Sequence, residues 1–316
     1  MNFTLNVLGT ASAKPSANRN SSAQVLDVRG RLFLIDCGEG TQRQFCRQRL
    51  SFERIDAIFI SHIHGDHIFG LFGLLSTLGL ATRRASIRIF GPNSLGPVLK
   101  FFLSYFGEQL GITIDFTPVK AKSPEVIFEN KFLTVEAFPL NHRIETYGYL
   151  FREKTPQLNV RKAAIEEYGL GIAEICSLKN GEDLVRTDDD GSPELRVPNE
   201  ELTYLPYRPR AFAYCSDTAP FPELPTWVRD VDLLYHETTY MAGLEKEAAA
   251  RYHSTTLQAA QCALNAGAGK LIAGHYSSRY RDTAALLAEL RSVFPNSFAA
   301  NDGDVFDVPL DKRAEQ

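Results

Sequence analysis

The chain has 316 residues, 44% of them hydrophobic and 23% charged, and a formal net charge of −4. That length suits one large domain or two ordinary ones, and the composition is that of a soluble globular protein. The negative balance gives no sign of a nucleic-acid partner, although a local basic patch can coexist with an acidic total. No apolar run reaches the roughly 18 to 20 residues of a membrane span, since residues 68–80 form a shorter stretch interrupted by glycine. The N-terminus, MNFTLNVLGT, lacks a charged leader region, so no secretory signal is expected and a cytoplasmic protein is the simplest expectation. Cys37, Cys46, Cys176, Cys215 and Cys262 are scattered, odd in number and without a C-x-x-C pair. That pattern argues against a disulfide framework or a thiolate zinc site.

In chain order, alternating or β-rich runs predict strands over 3–8, 23–28, 32–36, 57–60, 87–90, 112–116 and 132–137, with turns at Arg29-Gly30 and Gly91-Pro92. Apolar residues at helical spacing predict helices over 41–49, 67–83, 257–266 and 283–294. Thr255 followed three residues later by Gln258 signals a capping box at the start of the third. Antiparallel-looking strands grouped first, with helices inserted between groups, imply a layered α/β or α+β sandwich. Between residues 147 and 210 the texture changes to TDDDGSPE, scattered prolines and one short helical pattern. That stretch reads as an insertion outside the main core.

The strongest chemical signal is SHIHGDH, residues 61–67, where the strand DAIFI ends and an apolar helix begins. Three of the seven histidines fall here, with an aspartate between the last two. His62 and His64 can point one way off extended backbone, while Asp66 and His67 can face a second position at the helix start. One loop can therefore feed two adjacent metal ions. Neutral imidazole and carboxylate are ligands that zinc accepts. A pair of ions roughly 3.5 to 4 Å apart suits phosphodiester hydrolysis, because it stabilises both the attacking and the leaving oxygen.

H-x-H-x-D-H after a strand resembles the signature of the metallo-β-lactamase superfamily, whose fold is an αββα sandwich. His142 in FPLNHR, Asp217 in AYCSDT and His275 in LIAGHYSSRY follow in that family's order. The resemblance implies two Zn²⁺ ions per chain: one held by His62, His64 and His142, the other by Asp66, His67 and His275, with Asp217 bridging them. LFLIDCGEGTQRQ, residues 32–44, is similar to the D-C-G-E-G-T-Q-x-Q stretch of the ribonuclease Z family. PSANRN, residues 15–20, resembles that family's P-x-K-x-R-N substrate loop, with Ala17 in place of the lysine. Phosphate contact from this loop then rests on Arg19, beside Asn20. HETT (236–239) resembles the family's H-E-A-T motif, and HST (253–255) matches the motif whose histidine is the proton donor.

The resemblance implies a single domain over 1–316 with an arm at 147–210, and a zinc-dependent endoribonuclease that cuts the 3′ trailer from precursor tRNA. In it Asp66 orients the attacking hydroxide and accepts its proton, and His253 protonates the departing 3′-oxygen. A homodimer is also implied, and the lack of a long apolar run leads us to expect no membrane partner. From Arg152 to Arg210 there are nine Lys plus Arg against twelve Asp plus Glu, and Arg152, Lys154, Arg161 and Lys162 form the evident basic group. Either that group alone grips tRNA, or the protein acts on a different substrate, with a small-molecule phosphodiesterase of the same fold as the alternative. For His236 the motif leaves open a structural or a catalytic role.

Overall fold

The computed structural model describes residues 1–81, 86–188, 190–191 and 193–311. They form two compact units: Met1–Arg152 with Arg210–Val308, and a smaller one around Glu153–Pro209. In the larger unit the first sheet starts with β1 (Phe3–Gly9), β2 (Ala23–Val28) and β3 (Arg31–Ile35), all antiparallel. Arg29 and Gly30 turn the second hairpin at φ 52° and 87°, the left-handed pair that matches strand twist in a two-residue loop. After α1 (Thr41–Arg47) the direction changes: β4 (Ile55–Phe59) joins β3 in parallel. Helices α2 (Gly65–Ile68) and α3 (Leu71–Ala81) lead to β5 (Ser86–Pro92), and α4 (Leu95–Phe106) leads to β6 (Thr113–Val119). Both of these strands are again parallel to their neighbours.

Three expectations are corrected here. The sheet is half parallel rather than antiparallel, because the helices between β3 and β6 supply crossovers that return each strand in the same sense. Gly91-Pro92 is no turn but the end of β5, paired with Pro118 and Val119. The single helix expected over 67–83 breaks at Gly70, where an added Cβ would lie 2.0 Å from the Gly38 carbonyl oxygen; Arg83 falls outside the described residues.

The second sheet begins with β7 (Glu125–Glu129), β8 (Leu133–Pro139) and β9 (Tyr147–Glu153). The smaller unit then contributes β10 (Asn159–Val160), α5 (Lys162–Glu167), α6 (Ile172–Lys179), β11 (Leu184–Thr187), β12 (Pro193–Val197), α7 (Asn199–Leu202) and β13 (Thr203–Tyr204). It has its own core of Ala164, Leu170, Leu178, Leu184, Val197 and Leu202. Its start falls one strand later than the change of texture suggests, because Tyr147–Glu153 pairs with the next strand of the large unit, β14 (Ala211–Cys215). There follow α8 (Leu224–Trp227), β15 (Leu233–Glu237), α9 (Glu245–Ala250), α10 (Thr256–Asn265), β16 (Lys270–Gly274), α11 (Ala284–Val293) and β17 (Ser297–Ala299), and β18 (Val305–Asp307) returns to the edge of the first sheet beside β1. The second sheet runs β17-β16-β15-β14-β9-β8-β7.

Three apolar clusters define the layers. Between the sheets lie Phe33, Phe59, Phe90, Phe128, Tyr149 and Phe151, with Phe59 stacked on Phe90 at 5.1 Å and edge-on to Phe128 at 6.0 Å. α1, α3 and α4 cover the outer face of the first sheet through Phe45, Leu74, Leu75 and Leu95. α8, α10 and α11 cover the second through Leu224, Ala260, Ala263 and Leu290. The order helix, sheet, sheet, helix is the expected αββα sandwich.

Candidate metal centre

Loops at the ends of β1, β3, β4, β8, β14, β15 and β16 converge at one edge of the sandwich and carry the site. After β4 the chain runs extended through Ser61–His64, so His62 and His64 project together, and one turn of helix then presents His67. His62 Nε2 lies 2.9 Å from His64 Nδ1, which lies 3.4 Å from His142 Nε2. Asp217 Oδ2 stands 3.6 Å from His62 Nε2 and 3.8 Å from His142 Nε2. Its other oxygen, Oδ1, stands 3.3 Å from His67 Nε2 and 3.1 Å from His275 Nε2. Asp66 Oδ2 closes the second group at 3.5 Å from each of those nitrogens. Ligands about 2.05 Å from a tetrahedral zinc are separated by about 3.3 Å, and both groups match that spacing. A single carboxylate thus presents one oxygen to each of two pockets.

The electrostatics fit cations. Burial holds His62, His64 and His142 below the ordinary imidazole range, in the neutral form that ligates metal. His67 is also buried, which opposes charge, yet the carboxylates of Asp217, Asp66 and Asp36 outweigh that and raise its pKa well above normal. The pocket around it is therefore built to hold positive charge.

Comparison with known proteins places this constellation. A family model described as "Anti-Pycsar protein Apyc1" matches residues 3–155, a span that includes His62–His67 and His142 but none of Asp217, His253 or His275. A ribonuclease Z from Porphyromonas gingivalis is 42% identical over 95% of this chain and 97% of its own length. The chain belongs to the ribonuclease Z family. Among solved structures, the short form of human tRNase Z aligns with a TM-score of 0.70 at 25% identity, over 97% of this chain and 99% of that one. A metallo-beta-lactamase fold protein from Bacillus subtilis shares the fold at a TM-score of 0.68.

The ribonuclease Z motifs now have physical reasons. In D-C-G-E-G, the Asp36 carboxylate accepts from His67 Nδ1 at 2.7 Å, Ser61 N at 2.7 Å, Ser61 Oγ at 2.8 Å and the Tyr214 hydroxyl at 2.7 Å. Cys37 and Gly70 clamp the ligand loop through Cys37 N–H to the His67 carbonyl at 2.8 Å and Gly70 N–H to the Cys37 carbonyl at 2.9 Å. A Cβ on Gly38 would meet the Asp66 carbonyl oxygen at 2.3 Å, so only glycine admits that approach. The other candidate ligands are oriented likewise. His62 Nδ1 donates to Ser61 Oγ at 2.9 Å, His142 Nδ1 to the Tyr252 carbonyl at 3.1 Å and His275 Nδ1 to Thr239 Oγ1 at 3.0 Å. Each bond leaves Nε2 facing the centre, the arrangement that fixes tautomer and ring in metal sites.

Strand alternation resolves the H-E-T-T motif. His236 and Glu237 are neighbours on β15 and so point to opposite faces. His236 is buried among Pro220, Gln258 and Cys262 in the helical layer, donating to the Glu237 carbonyl at 2.8 Å, away from the ligands. Glu237, not singled out by the sequence reading, faces the centre: its carboxylate accepts from His253 Nδ1 at 2.7 Å, Thr218 N at 2.9 Å and Thr239 Oγ1 at 2.5 Å. Its position in a strand beside a recognised histidine was the available signal. Burial disfavours charge on His253, but Glu237 outweighs it and raises the pKa to about 9. His253 thereby stays protonated beside Asp217 and His275, with ligand atoms of all three within 4.8 Å.

The substrate-loop residues have internal partners. The Asn20 side-chain and backbone N–H groups donate to Asp302 Oδ2 at 2.7 and 2.6 Å, and Arg19 donates to the Tyr280 carbonyl at 3.2 Å while covering the Tyr276 ring at 4.7 Å. Both shape the loop, whose Ala13 N–H donates to Asp66 Oδ2 at 2.7 Å. Of the arm's basic group, Arg152 belongs to the large unit and Lys154, Arg161 and Lys162 to the small one. Arg161 donates to the Glu201 carbonyl at 3.1 Å and lies 5.8 Å from the Tyr204 ring centre.

Proposed function

We propose that this chain is a two-zinc endoribonuclease that removes the 3′ trailer from precursor tRNA, leaving a 3′-hydroxyl on the tRNA and a 5′-phosphate on the trailer. The observation that carries the two-ion reading is Asp217, which offers one oxygen to the His62, His64 and His142 pocket and the other to the Asp66, His67 and His275 pocket. When bound, the ions supply a nucleophile at neutral pH and stabilise the charge on the attacking and leaving oxygens. Asp66, held by the Ala13 amide, orients the attacking oxygen and takes its proton. His253, kept charged by Glu237, delivers a proton to the departing ribose 3′-oxygen. The buried positions of His62, His67 and His275 keep bulk water from the ligands' outer bonds. Arg19 and Asn20 define the loop that meets the RNA, and Arg152, Lys154, Arg161 and Lys162 supply phosphate contacts.

Two further parts of the reading rest on other features. Among the described residues no helix is long and apolar enough to cross a membrane, and precursor tRNA is met in the cytoplasm, where we place the protein. Phe72, Leu80, Phe101, Phe102, Phe106 and Leu110 line an apolar groove of about 750 Å³ on α3 and α4, with Phe101 67% and Leu80 87% exposed. That face suits a second copy in a homodimer.

The deciding experiment combines metal analysis with cleavage of a trailer-bearing precursor tRNA and of a small nitrophenyl diester. Two zinc ions per chain and a single cut with a 3′-hydroxyl on the tRNA are expected. One ion or none after zinc supplementation removes the binuclear reading. Hydrolysis of the small diester alone replaces tRNA with a small substrate.

A further inference from the structure

Tyr252 stands at the first residue beyond the C-cap of α9, with φ 59°. Helices commonly place a left-handed residue there, and glycine is the usual choice because a Cβ crowds the backbone in that region. Its backbone has a local reason for that conformation. The Tyr252 carbonyl accepts from His142 Nδ1 at 3.1 Å, and its N–H donates to the Ala249 carbonyl at 3.1 Å. Glycine would meet both requirements without strain, so the backbone gives no reason for a tyrosine. A strained, bulky residue beside a reaction centre calls for a functional reason.

The ring supplies one. Tyr252 is 40% exposed, its ring centre lies 6.5 Å from that of the ligand His142 at 86°, and the next residue is the proton donor His253. Arg143, which follows His142 in sequence, is exposed, and its charge is felt at His64. A part-exposed aromatic ring beside a candidate metal ligand, and a guanidinium nearby, are the elements with which proteins hold unpaired nucleotides: ring on base, cation on phosphate. We propose that Tyr252 is a stacking platform for one nucleobase, that of the nucleotide whose 3′-oxygen leaves. The assignment to that nucleotide follows from chemistry. The base on the leaving side sits beside the group that protonates its ribose, and Tyr252 adjoins His253. The platform accepts any base, because every base presents a π-face, and favours purines over pyrimidines by their larger area.

The inference rests on the functional reading above, and the test separates the two. The zinc-loaded full chain and its Tyr252→Gly, Tyr252→Leu and Tyr252→Phe variants are assayed on precursor tRNA carrying either the natural base or an abasic ribose at the nucleotide whose 3′-oxygen leaves. Stacking on an aromatic ring contributes about 1–3 kcal/mol per base, so removing the base should lower kcat/KM of the parent by roughly 5- to 150-fold. Tyr252→Phe should show the same loss. In Tyr252→Gly and Tyr252→Leu the natural substrate should already be cut that much more slowly, and base removal should add less than about twofold, the non-additivity that marks direct contact. The melting temperature of Tyr252→Gly should not fall below the parent's, since it removes backbone strain. An equal loss on base removal in parent and glycine variant, or an unchanged Tyr252→Gly on the natural substrate, overturns the platform alone. A parent that does not cut precursor tRNA overturns the functional reading and the platform with it.

Discussion

His253, the proposed proton donor, shows how a single carboxylate decides what a histidine can do. An imidazole as buried as His253 would ordinarily be neutral at pH 7, because burial penalises the charged form. Glu237 reverses that and raises the pKa to about 9. Since the folded-state value lies above the unfolded one of about 6.5, the bond's contribution to stability is complete below about pH 6.5 and is lost as pH rises through about 9. Bound cations act in the opposite direction, so in the loaded enzyme the alkaline limb of RNA cleavage should lie at or below that value. Glu237→Gln should move this limb toward lower pH while leaving the acidic limb in place, and an unmoved alkaline limb would separate Glu237 from proton transfer. His253→Ala should slow cleavage of RNA by about 10²- to 10⁴-fold, the usual worth of a positioned acid. A nitrophenyl diester, whose leaving phenolate needs no proton, should lose far less. Similar losses on both substrates would mean that His253 supports the metal pockets rather than the leaving group.

At the scale of elements, helix α10 connects the capping chemistry to the site. Thr255 caps it, with the Thr255 N–H donating to Gln258 Oε1 at 2.9 Å and the reciprocal bond longer at 3.4 Å. His253 lies two residues earlier but has its own anchors: its N–H donates to the Ala248 carbonyl at 2.9 Å, and Ser254 Oγ donates to the Thr218 carbonyl at 2.6 Å. Thr255→Ala should therefore cost about 0.5–1 kcal/mol of stability, a fall of about 1–3 °C in Tm, while kcat changes less than twofold. A tenfold fall in kcat would show that the first turn of α10 positions His253. This helix was legible in the sequence because cap and periodicity agree. The loop of residues 61–67 was legible because its four candidate ligands fall within six residues. Helix α4 was not among the predicted helices; it carries Gly96 and Pro97 in its first turn, where proline is well tolerated. Asp36 and Glu237 were missed for a different reason: a carboxylate that orients another side chain acts through contacts made only after distant strands meet. Asn20 shows the converse, where a residue matched to a motif is engaged by Asp302, 282 positions away.

On the scale of the whole molecule, the question is where an acidic protein finds affinity for RNA. With a net charge of −4, binding cannot come from the average field and has to come from local cations that displace counterions at phosphates. In the small unit, Arg186 is paired with Glu174 at 2.8 Å and Arg196 with Asp183 at 3.1 Å, so those guanidinium groups are already matched by carboxylates. Arg161 donates to the Glu201 carbonyl and lies near the Tyr204 ring. The cations to test are the basic group that the sequence marks, Lys154, Arg161 and Lys162 with Arg152 on β9. Changing all four to Glu should weaken binding of precursor tRNA and flatten the dependence of log K on log salt by about 0.9 for each duplex phosphate contact removed, or about 0.7 for each single-stranded one. Hydrolysis of a small diester should be affected far less, since it draws on the metal pockets alone. Melting curves establish whether the variant retains its fold, and the salt slope then separates a lost contact from a general loss of structure. An unchanged slope with unchanged affinity would show that RNA is held elsewhere, and the exposed Arg143, next to His142, and Lys14, next to Ala13, would be the next cations to reverse.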